Sequence, residues 1–198
     1  LTDNIDQIVF LGAGYDSRPY RFKSLIKDTK IFETDSGSTQ EYKLEILHNN
    51  KISIHENVSF VSVNFETDDF ILLLQKCGYD KNKETLFICE GVTFYLSGKT
   101  VISMLEKIRK NSGAGSKLGF DFQTIVTRGD LIDTGLKDEK IKFGISHGEI
   151  EKFVLENQFV ITEHLSSADM EKRFLTSENG DLSGHILPIM NILLIENK

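Results

Sequence analysis

The feature that most constrains this fold is an apolar run that ends in two glycines, residues 8–14 (IVFLGAG). A short apolar run rich in branched residues is typical of a buried parallel strand. Gly12 and Gly14 carry no side chain, so a ligand can approach the backbone of the turn closely. Backbone N–H groups at the start of a following helix favour an anionic or polar ligand. The stretch therefore predicts a nucleotide-like cofactor site, with a plain strand-to-helix turn as the alternative.

The composition of the chain narrows the classes of function. Its 198 residues fit one domain with a full core, and we predict a single domain over residues 1–198. A net charge of −7 argues against broad binding of nucleic acid, and no apolar run is long enough to span a membrane. Cys77 and Cys89 lack metal-ligand spacing and are typical of reduced thiols, with a disulfide as the alternative. With no secretory signal visible, we predict a cytoplasmic protein without a bound metal.

Strand and helix patterns alternate along most of the chain, which predicts an α/β fold. Seven strands are predicted, at residues 8–11, 30–34, 57–63, 85–89, 117–122, 159–165 and 185–195. Helical patterns such as the one over residues 17–26 separate them, which predicts a Rossmann-like, doubly wound, mostly parallel sheet. The last connection is loop-like, so the final strand is expected to run antiparallel beside its predecessor. Residues 123–145 show no regular spacing of apolar residues and are interpreted as an insertion or lid.

Ligands of such sheets bind outside the carboxyl ends of the strands, so the residues there are the candidates for a site. Asp35 ends the second predicted strand, 21 residues after Gly14. An acid at this spacing can accept hydrogen bonds from both hydroxyls of a ribose. The same side chain could cap the next helix, either in place of this role or in addition to it. We favour the ribose because the spacing matches the glycine-rich turn.

The third and fourth strands end in further candidates. Asn64 and Phe65 follow the third strand, where an amide can pair with the edge of an adenine and a ring can stack on its face. Phe65 could equally be a core residue. Glu90 directly follows the fourth strand, and we expect a desolvated carboxylate at the mouth of the cleft rather than a solvated turn acid. Tyr95 could lie over the same cleft.

Three motifs resemble those of the leucine carboxyl methyltransferase-like family. Residues 9–22 (VFLGAGYDSRPYRF) resemble its first-strand motif, residues 32–35 (FETD) with Lys43 its second, and residues 89–96 (CEGVTFYL) its fourth-strand motif. Arg18 is similar to the microbial branch rather than to the eukaryotic enzyme that methylates a phosphatase C-terminus. The resemblance implies an S-adenosylmethionine-dependent methyltransferase with a seven-stranded sheet whose last strand is antiparallel.

The resemblance also implies roles for the strand-end residues. Residues 12–14 would pass under the methionine part of the cofactor, and Asp35 would hold the ribose. Asn64 and Phe65 would frame the adenine, and Glu90 would lie close to the methionine amino group and the substrate entrance. The cofactor-binding residues implied in this way are Gly12, Ala13, Gly14, Asp35, Asn64, Phe65 and Glu90.

The chain departs from the family pattern at two places. Asn64 stands where the family usually has an acid, so a lower affinity for the adenine is expected. The family also carries a helical segment upstream of the first strand, which contributes a basic residue and covers the substrate cleft. Because this chain begins at Leu1, a few residues before that strand, we expect either a fragment or an unusually open site.

The reaction that we predict is O-methylation of a carboxylate or a hydroxyl on a small molecule or a peptide terminus. Methyl transfer from a sulfonium needs mainly alignment, and a carboxylate acceptor needs no base. A hydroxyl acceptor needs one; Glu90, Asp16 and His147 are available, and Glu90 and Tyr95 are the catalytic candidates. One alternative is an NAD-dependent oxidoreductase. Against it, Ser17 stands where the glycine-rich motif of such enzymes has its third glycine. The other alternative is a degenerate family member that binds the cofactor or a partner without turnover.

Overall fold

The structure is a computed structural model that describes residues 5–125 and 141–197. Short, mostly apolar segments form the strands of one sheet. These strands are β1 (Gln7–Leu11), β2 (Lys30–Asp35), β3 (Val58–Ser62), β4 (Thr85–Cys89), β5 (Lys117–Ile125), β6 (Ile145–Ser146), β7 (Phe159–Ser166) and β8 (Met190–Asn197).

The order of the strands in the sheet is β3-β2-β1-β4-β5-β8-β7, and the two-residue β6 pairs with β5 outside this path. Strands β1 to β5 run parallel to one another. The last strand, β8, lies between β5 and β7 and runs antiparallel to both. The predicted α/β sheet, mostly parallel with an antiparallel last strand, is therefore confirmed, with β6 as an addition.

Helices pack against the sheet, and their apolar side chains form the hydrophobic core together with those of the strands. They are α1 (Arg18–Arg21), α2 (Gly37–Asn49), α3 (Phe70–Lys76), α4 (Gly98–Lys110), α5 (Ile150–Glu156) and α6 (Ser167–Met170). The larger core includes apolar residues of α3, α4 and α5 with fully buried strand residues such as Phe87 and Phe120. A smaller core beside it contains Ile8 and Phe10 of β1 with Ile31 of β2. Strand β1 contributes to both cores, and because it lies between β2 and β4 its carboxyl end is inside the sheet rather than at an edge.

Three boundaries differ from the sequence-based expectation. The helix predicted over residues 17–26 is only the four-residue α1 followed by a short 3-10 turn at Lys23–Leu25. Strand β5 continues to Ile125, into the predicted insertion over 123–145, because Gln123 and Thr124 are buried; residues 126–140 lie outside the described part. Strand β8 begins at Met190 rather than at residue 185, after Pro188, which has no N–H to donate to a ladder.

Over residues 5–125 and 141–197, no helix is both long and apolar enough to cross a bilayer.

Candidate cofactor site

The turn after β1 is closed by hydrogen bonds to the end of β2. The N–H groups of Gly12 and Ala13 donate to the carbonyl oxygen of Thr34 at 2.9 and 2.8 Å. Gly12 has a φ of +75°, which glycine adopts at little cost. A Cβ at Gly12 would lie 2.2 Å from Cγ2 of Val92, whereas a Cβ at Gly14 would meet nothing within 4 Å. The turn is thus packed on one side at Gly12 and open on the other at Gly14.

Asp35 joins this turn to the start of α2. Its Oδ2 accepts a hydrogen bond from the N–H of Gly14 at 2.7 Å, and its Oδ1 accepts one from Ser36 at 2.7 Å. The cap of α2 is Ser36, whose hydroxyl accepts from the N–H of Thr39 at 3.3 Å. The alternative in which Asp35 caps the helix is therefore wrong. An ionised carboxylate has about four lone-pair sites, so Asp35 keeps acceptor capacity toward a ligand.

A two-lobed cleft runs along the carboxyl ends of the strands. Each lobe has a volume of about 480 Å³, and the lobes share Gly12, Asp35, Gly91 and Val92 in their walls. The seven implied cofactor-binding residues and Tyr95 each line one lobe or both, as does Asp16, whereas His147, the other available base, is exposed and lines neither. The first lobe holds Asn64, Phe65 and Tyr95, and the second holds Ala13, Gly14 and Glu90.

The first lobe has one polar and one aromatic wall. Asn64 is exposed, and its Oδ1 accepts a hydrogen bond from the N–H of Glu66 at 3.0 Å. Its own N–H donates to the carboxylate of Asp68 at 2.8 Å, and Asp68 also lines this lobe. Phe65 is partly buried and packs edge-to-face on Phe70, with ring centroids 5.9 Å apart. The ring is both a core contact and a wall of the lobe, so the two interpretations of Phe65 are compatible.

A charged network spans the second lobe. Arg18 donates to Oδ2 of Asp16 through Nε at 2.7 Å and also forms an ion pair with Oε2 of Glu90. Burial by itself would raise the pKa of Asp16, but the hydrogen bonds from Arg18 outweigh it and the pKa lies below its usual value. The Glu90 side chain is 49% exposed, so the expectation of a desolvated carboxylate is wrong. Glu90 is a half-exposed acid held by Arg18 at the mouth of the cleft.

A buried ion pair lies on β2 close to the cleft and accounts for Lys43 in the second motif. Nζ of Lys43 lies 2.5 Å from Oε2 of Glu33, and both side chains are almost fully buried. The hydroxyl of Tyr20 donates to Oε1 of Glu33 at 2.8 Å. Burial raises the pKa of Glu33, although both partners oppose that effect. The cluster ties α2 and the segment after the first turn to β2, two residues before Asp35.

One residue near the cleft was missed by the reasoning from sequence. Asp121 lies in β5 between the buried Phe120 and Phe122, and its carboxylate accepts a hydrogen bond from the N–H of Gly91. A charged residue flanked by two buried phenylalanines needs a partner, and this was the signal that could have identified it. Asp121 therefore connects β5 to the turn that follows β4.

The chain was next compared with known proteins. YktD of Bacillus subtilis, named as a candidate S-adenosyl-L-methionine-dependent methyltransferase, is 28% identical over 188 residues, covering 89% of this chain and 61% of YktD. A relative of the same description from Frankia alni is 32% identical over 65% of this chain and 43% of its own length. The chain thus spans roughly half of these relatives, 61% and 43% of their lengths.

Solved structures share the fold at low identity. An O-methyltransferase of a trans-AT PKS multienzyme from Brevibacillus brevis, in complex with S-adenosyl-L-homocysteine, matches with a TM-score of 0.65 at 12% identity, over 100% of this chain and 68% of that chain. A protein described as a candidate methyltransferase, solved in complex with the Haloferax volcanii Trm112 methyltransferase activator, matches with a TM-score of 0.63 at 13% identity, over 96% of this chain and 82% of that chain. These likenesses support the fold.

The three motifs that carried the resemblance all lie in the part of the chain that builds the cleft. They comprise the turn after β1, the end of β2 with Lys43, and the turn after β4. A model of the leucine carboxyl methyltransferase family matches residues 1–109, which is more than half of the sequence. This chain therefore belongs to the leucine carboxyl methyltransferase family.

Proposed function

We propose that the chain binds S-adenosyl-L-methionine in the two-lobed cleft and transfers its methyl group to an oxygen of a small molecule or a peptide terminus. The observation that carries this proposal is the convergence of the Gly12–Gly14 turn and Asp35 on one cleft. The open space beside Gly14 admits a ligand against the backbone, which fits the methionine part of the cofactor.

The remaining residues of the cleft fit the other parts of the cofactor. Asp35 would hold the ribose through the lone pairs that Gly14 and Ser36 leave available. Asn64 and Phe65 would frame the adenine in the first lobe. Because Oδ1 of Asn64 already accepts from Glu66, we expect the Asn64 amide to contribute mainly as a donor.

The charge of the cleft supports this cofactor over NAD. The second lobe is lined by the carboxylates of Asp16, Asp35 and Glu90 and by one guanidinium, that of Arg18. An excess of acids attracts the sulfonium and the ammonium of S-adenosylmethionine and repels the pyrophosphate of a dinucleotide. Helix α1 has only four residues, so it offers little of the helix dipole that a pyrophosphate site uses.

The chain contributes alignment and charge to the reaction. When bound, the cofactor supplies a methyl group on a positively charged sulfur. Glu90, which is paired with Arg18, would bind the ammonium group of the cofactor in the second lobe. Holding two reactants in the right geometry lowers the barrier by about 7–11 kcal/mol, and this is the main contribution that we assign to the protein.

An oxygen acceptor is the second part of the proposal. A carboxylate attacks the methyl group without losing a proton, so it needs only to be positioned. A hydroxyl must lose its proton, for which Glu90 and Tyr95 are the residues of the cleft that we consider first. The structural neighbour from Brevibacillus brevis is named an O-methyltransferase, which is consistent with this choice.

Calorimetric titration with S-adenosylhomocysteine, with NAD as the control, tests the cofactor. We expect saturable binding of the former only, and binding of NAD alone would contradict the proposal. Methyl transfer from labelled S-adenosylmethionine to carboxylates and to phenols then tests the acceptor. A carboxylate acceptor predicts a rate that is constant above about pH 6, whereas a hydroxyl acceptor predicts a rate that rises with pH. Binding with no transfer to any oxygen acceptor would favour the non-catalytic alternative.

A further inference from the structure

Asp121 of β5 holds the turn that follows β4 at two points. Its carboxylate oxygens lie 3.0 and 2.9 Å from the N–H of Gly91. Its own carbonyl oxygen accepts a hydrogen bond from the hydroxyl of Thr93 at 2.5 Å. Thirty residues of sequence separate Asp121 from Gly91, so this contact exists only because β4 and β5 are neighbours in the sheet.

The turn that Asp121 holds forms the wall between the two lobes of the cleft. Gly91 and Val92 line both lobes. The methyl groups of Val92 lie directly beside Gly12, so a Cβ added at Gly12 would be 2.2 Å from Cγ2 of Val92. Glu90 precedes the turn and pairs with Arg18. A shift of this turn would therefore change both lobes at once and displace the acid at the mouth of the cleft.

We propose that Asp121 is a positioning residue whose ionised carboxylate holds the Gly91–Val92 turn in the conformation that binds the cofactor, so that cofactor affinity depends on the ionisation of Asp121. The inference rests on the proposed function, because it takes the two-lobed cleft as the cofactor site. Asp121 lines neither lobe and acts through Gly91.

The surroundings of Asp121 explain why its ionisation falls in an accessible pH range. The pKa of Asp121 is raised to about 6. Burial raises it most, the hydrogen bond from the N–H of Gly91 opposes this, and the nearby charge of Glu90 adds to the rise. The titratable groups that face it are the buried Cys89 at the end of β4 and Glu90, which follows that strand. Strand β8 places the apolar Ile192 opposite Asp121.

The charge of Asp121 strengthens the contact with the turn. A hydrogen bond to an ionised carboxylate is roughly twice as strong as one to a neutral acceptor. Protonation below about pH 6 therefore weakens the hold on Gly91. Asn keeps the shape and one acceptor oxygen but carries no charge at any pH, so Asp121→Asn isolates the effect of the charge.

Two readouts on the wild type, Asp121→Asn and the control Asp181→Asn test the inference. The first is the chemical shift of the Gly91 amide from pH 4.5 to 8, which requires no ligand. The second is the affinity for S-adenosylhomocysteine over the same range. Asp181 is exposed and lines neither lobe, so its substitution reports any general effect of losing one acid.

In the wild type and the control, we expect the Gly91 amide to titrate with a midpoint near pH 6 and the affinity to weaken about fivefold from pH 7.5 to 5. In Asp121→Asn, we expect no such titration and an affinity that is about fivefold weaker at pH 7.5 and independent of pH. Retention of the fold is checked by the dispersion of the other amide signals.

Either of two results would overturn the inference. One is a Gly91 amide that does not titrate in the wild type. The other is Asp121→Asn binding S-adenosylhomocysteine with the wild-type affinity and pH dependence. If the wild type binds no S-adenosylhomocysteine at all, the proposed function fails, and the Gly91 titration alone decides whether Asp121 holds the turn.

Discussion

The backbone N–H of Gly14 lies 2.7 Å from Oδ2 of Asp35, so the turn after β1 and the end of β2 form one hydrogen-bonded unit. The carboxylate also accepts from the N–H of Ser36 at 2.7 Å. A hydrogen bond from a backbone N–H to an ionised acceptor contributes about 1.5–3 kcal/mol. Asp35 thus shapes the turn as well as the ribose site that we assign to it.

Substitution of Asp35 tests this double role. We expect Asp35→Ala to weaken the affinity for S-adenosylhomocysteine at least tenfold, about 1.4 kcal/mol, because both the ribose acceptor and the anchor of Gly14 are lost. The fold should persist, as judged by circular dichroism. Asp28→Ala, which removes an exposed acid before β2, is the matched control in calorimetry. An unchanged affinity in Asp35→Ala would show that Asp35 does not bind the cofactor.

The two glycines of the turn should respond differently to alanine. A residue other than glycine at positive φ costs about 1–2 kcal/mol, which applies to Gly12 at +75° and Gly14 at +44°. At Gly12 the new Cβ would also lie 2.2 Å from Cγ2 of Val92, whereas at Gly14 it would meet nothing within 4 Å. We expect Gly12→Ala to lose more free energy of unfolding than Gly14→Ala in urea denaturation. Equal losses of free energy of unfolding would show that the Val92 side chain moves aside at little cost.

The buried pair of Lys43 and Glu33 should behave as a unit. Removal of one partner leaves an uncompensated buried charge, so we expect Lys43→Met to lower the free energy of unfolding by about 3–5 kcal/mol. The double variant with Glu33→Gln should recover part of this loss, because the hydroxyl of Tyr20 can still donate to the amide. Chemical denaturation of the wild type, both single variants and the double variant completes the cycle. Additive losses would contradict a coupled pair.

Asp121 should reduce the stability of the fold at neutral pH. Its pKa is raised to about 6 in the folded protein, from 3.8, so the native state binds the proton more tightly than the unfolded state. The stability that this group contributes is therefore present at low pH and is lost as the pH rises through 6. Full ionisation costs about 3 kcal/mol on this basis.

The Asp121→Asn variant makes that cost measurable. We expect its free energy of unfolding to exceed that of the wild type by about 1–3 kcal/mol at pH 7.5, because the amide accepts from Gly91 without a buried charge. The difference should disappear near pH 4, where Asp121 of the wild type is protonated. Urea denaturation at both pH values measures it. A loss of stability at pH 7.5 would mean that the charged hydrogen bond to Gly91 outweighs the cost of burying the Asp121 carboxylate.

Several features of the chain were determined by local sequence. The strand at Thr85–Cys89 is an unbroken apolar run and coincides with its prediction, and β1, β2 and β3 were located to within two residues of each end. Such runs are readable because a strand of a parallel sheet is covered on both faces and is therefore a short, nearly continuous apolar segment. The glycine turn and Asp35 were identified by a spacing that the alternation of strand and helix imposes.

Other features were decided only by tertiary structure, because their partners are distant in sequence. Glu90 was expected to be desolvated, yet it meets Arg18, which lies 72 residues earlier. The helix that was predicted to follow the glycine-rich turn has only four residues, Arg18–Arg21. The tertiary context therefore outweighed the local helical propensity. The position of β8 between β5 and β7 also follows from packing across the sheet.

The division between the two levels is clearest at the cleft. The sequence by itself determined which residues end the strands, and therefore which backbone turns and acids are available to a ligand. Only the tertiary structure decided which of them touch. It joined Gly14 to Asp35 and Gly91 to Asp121, because hydrogen bonds act over about 3 Å whereas the sequence separations are 21 and 30 residues.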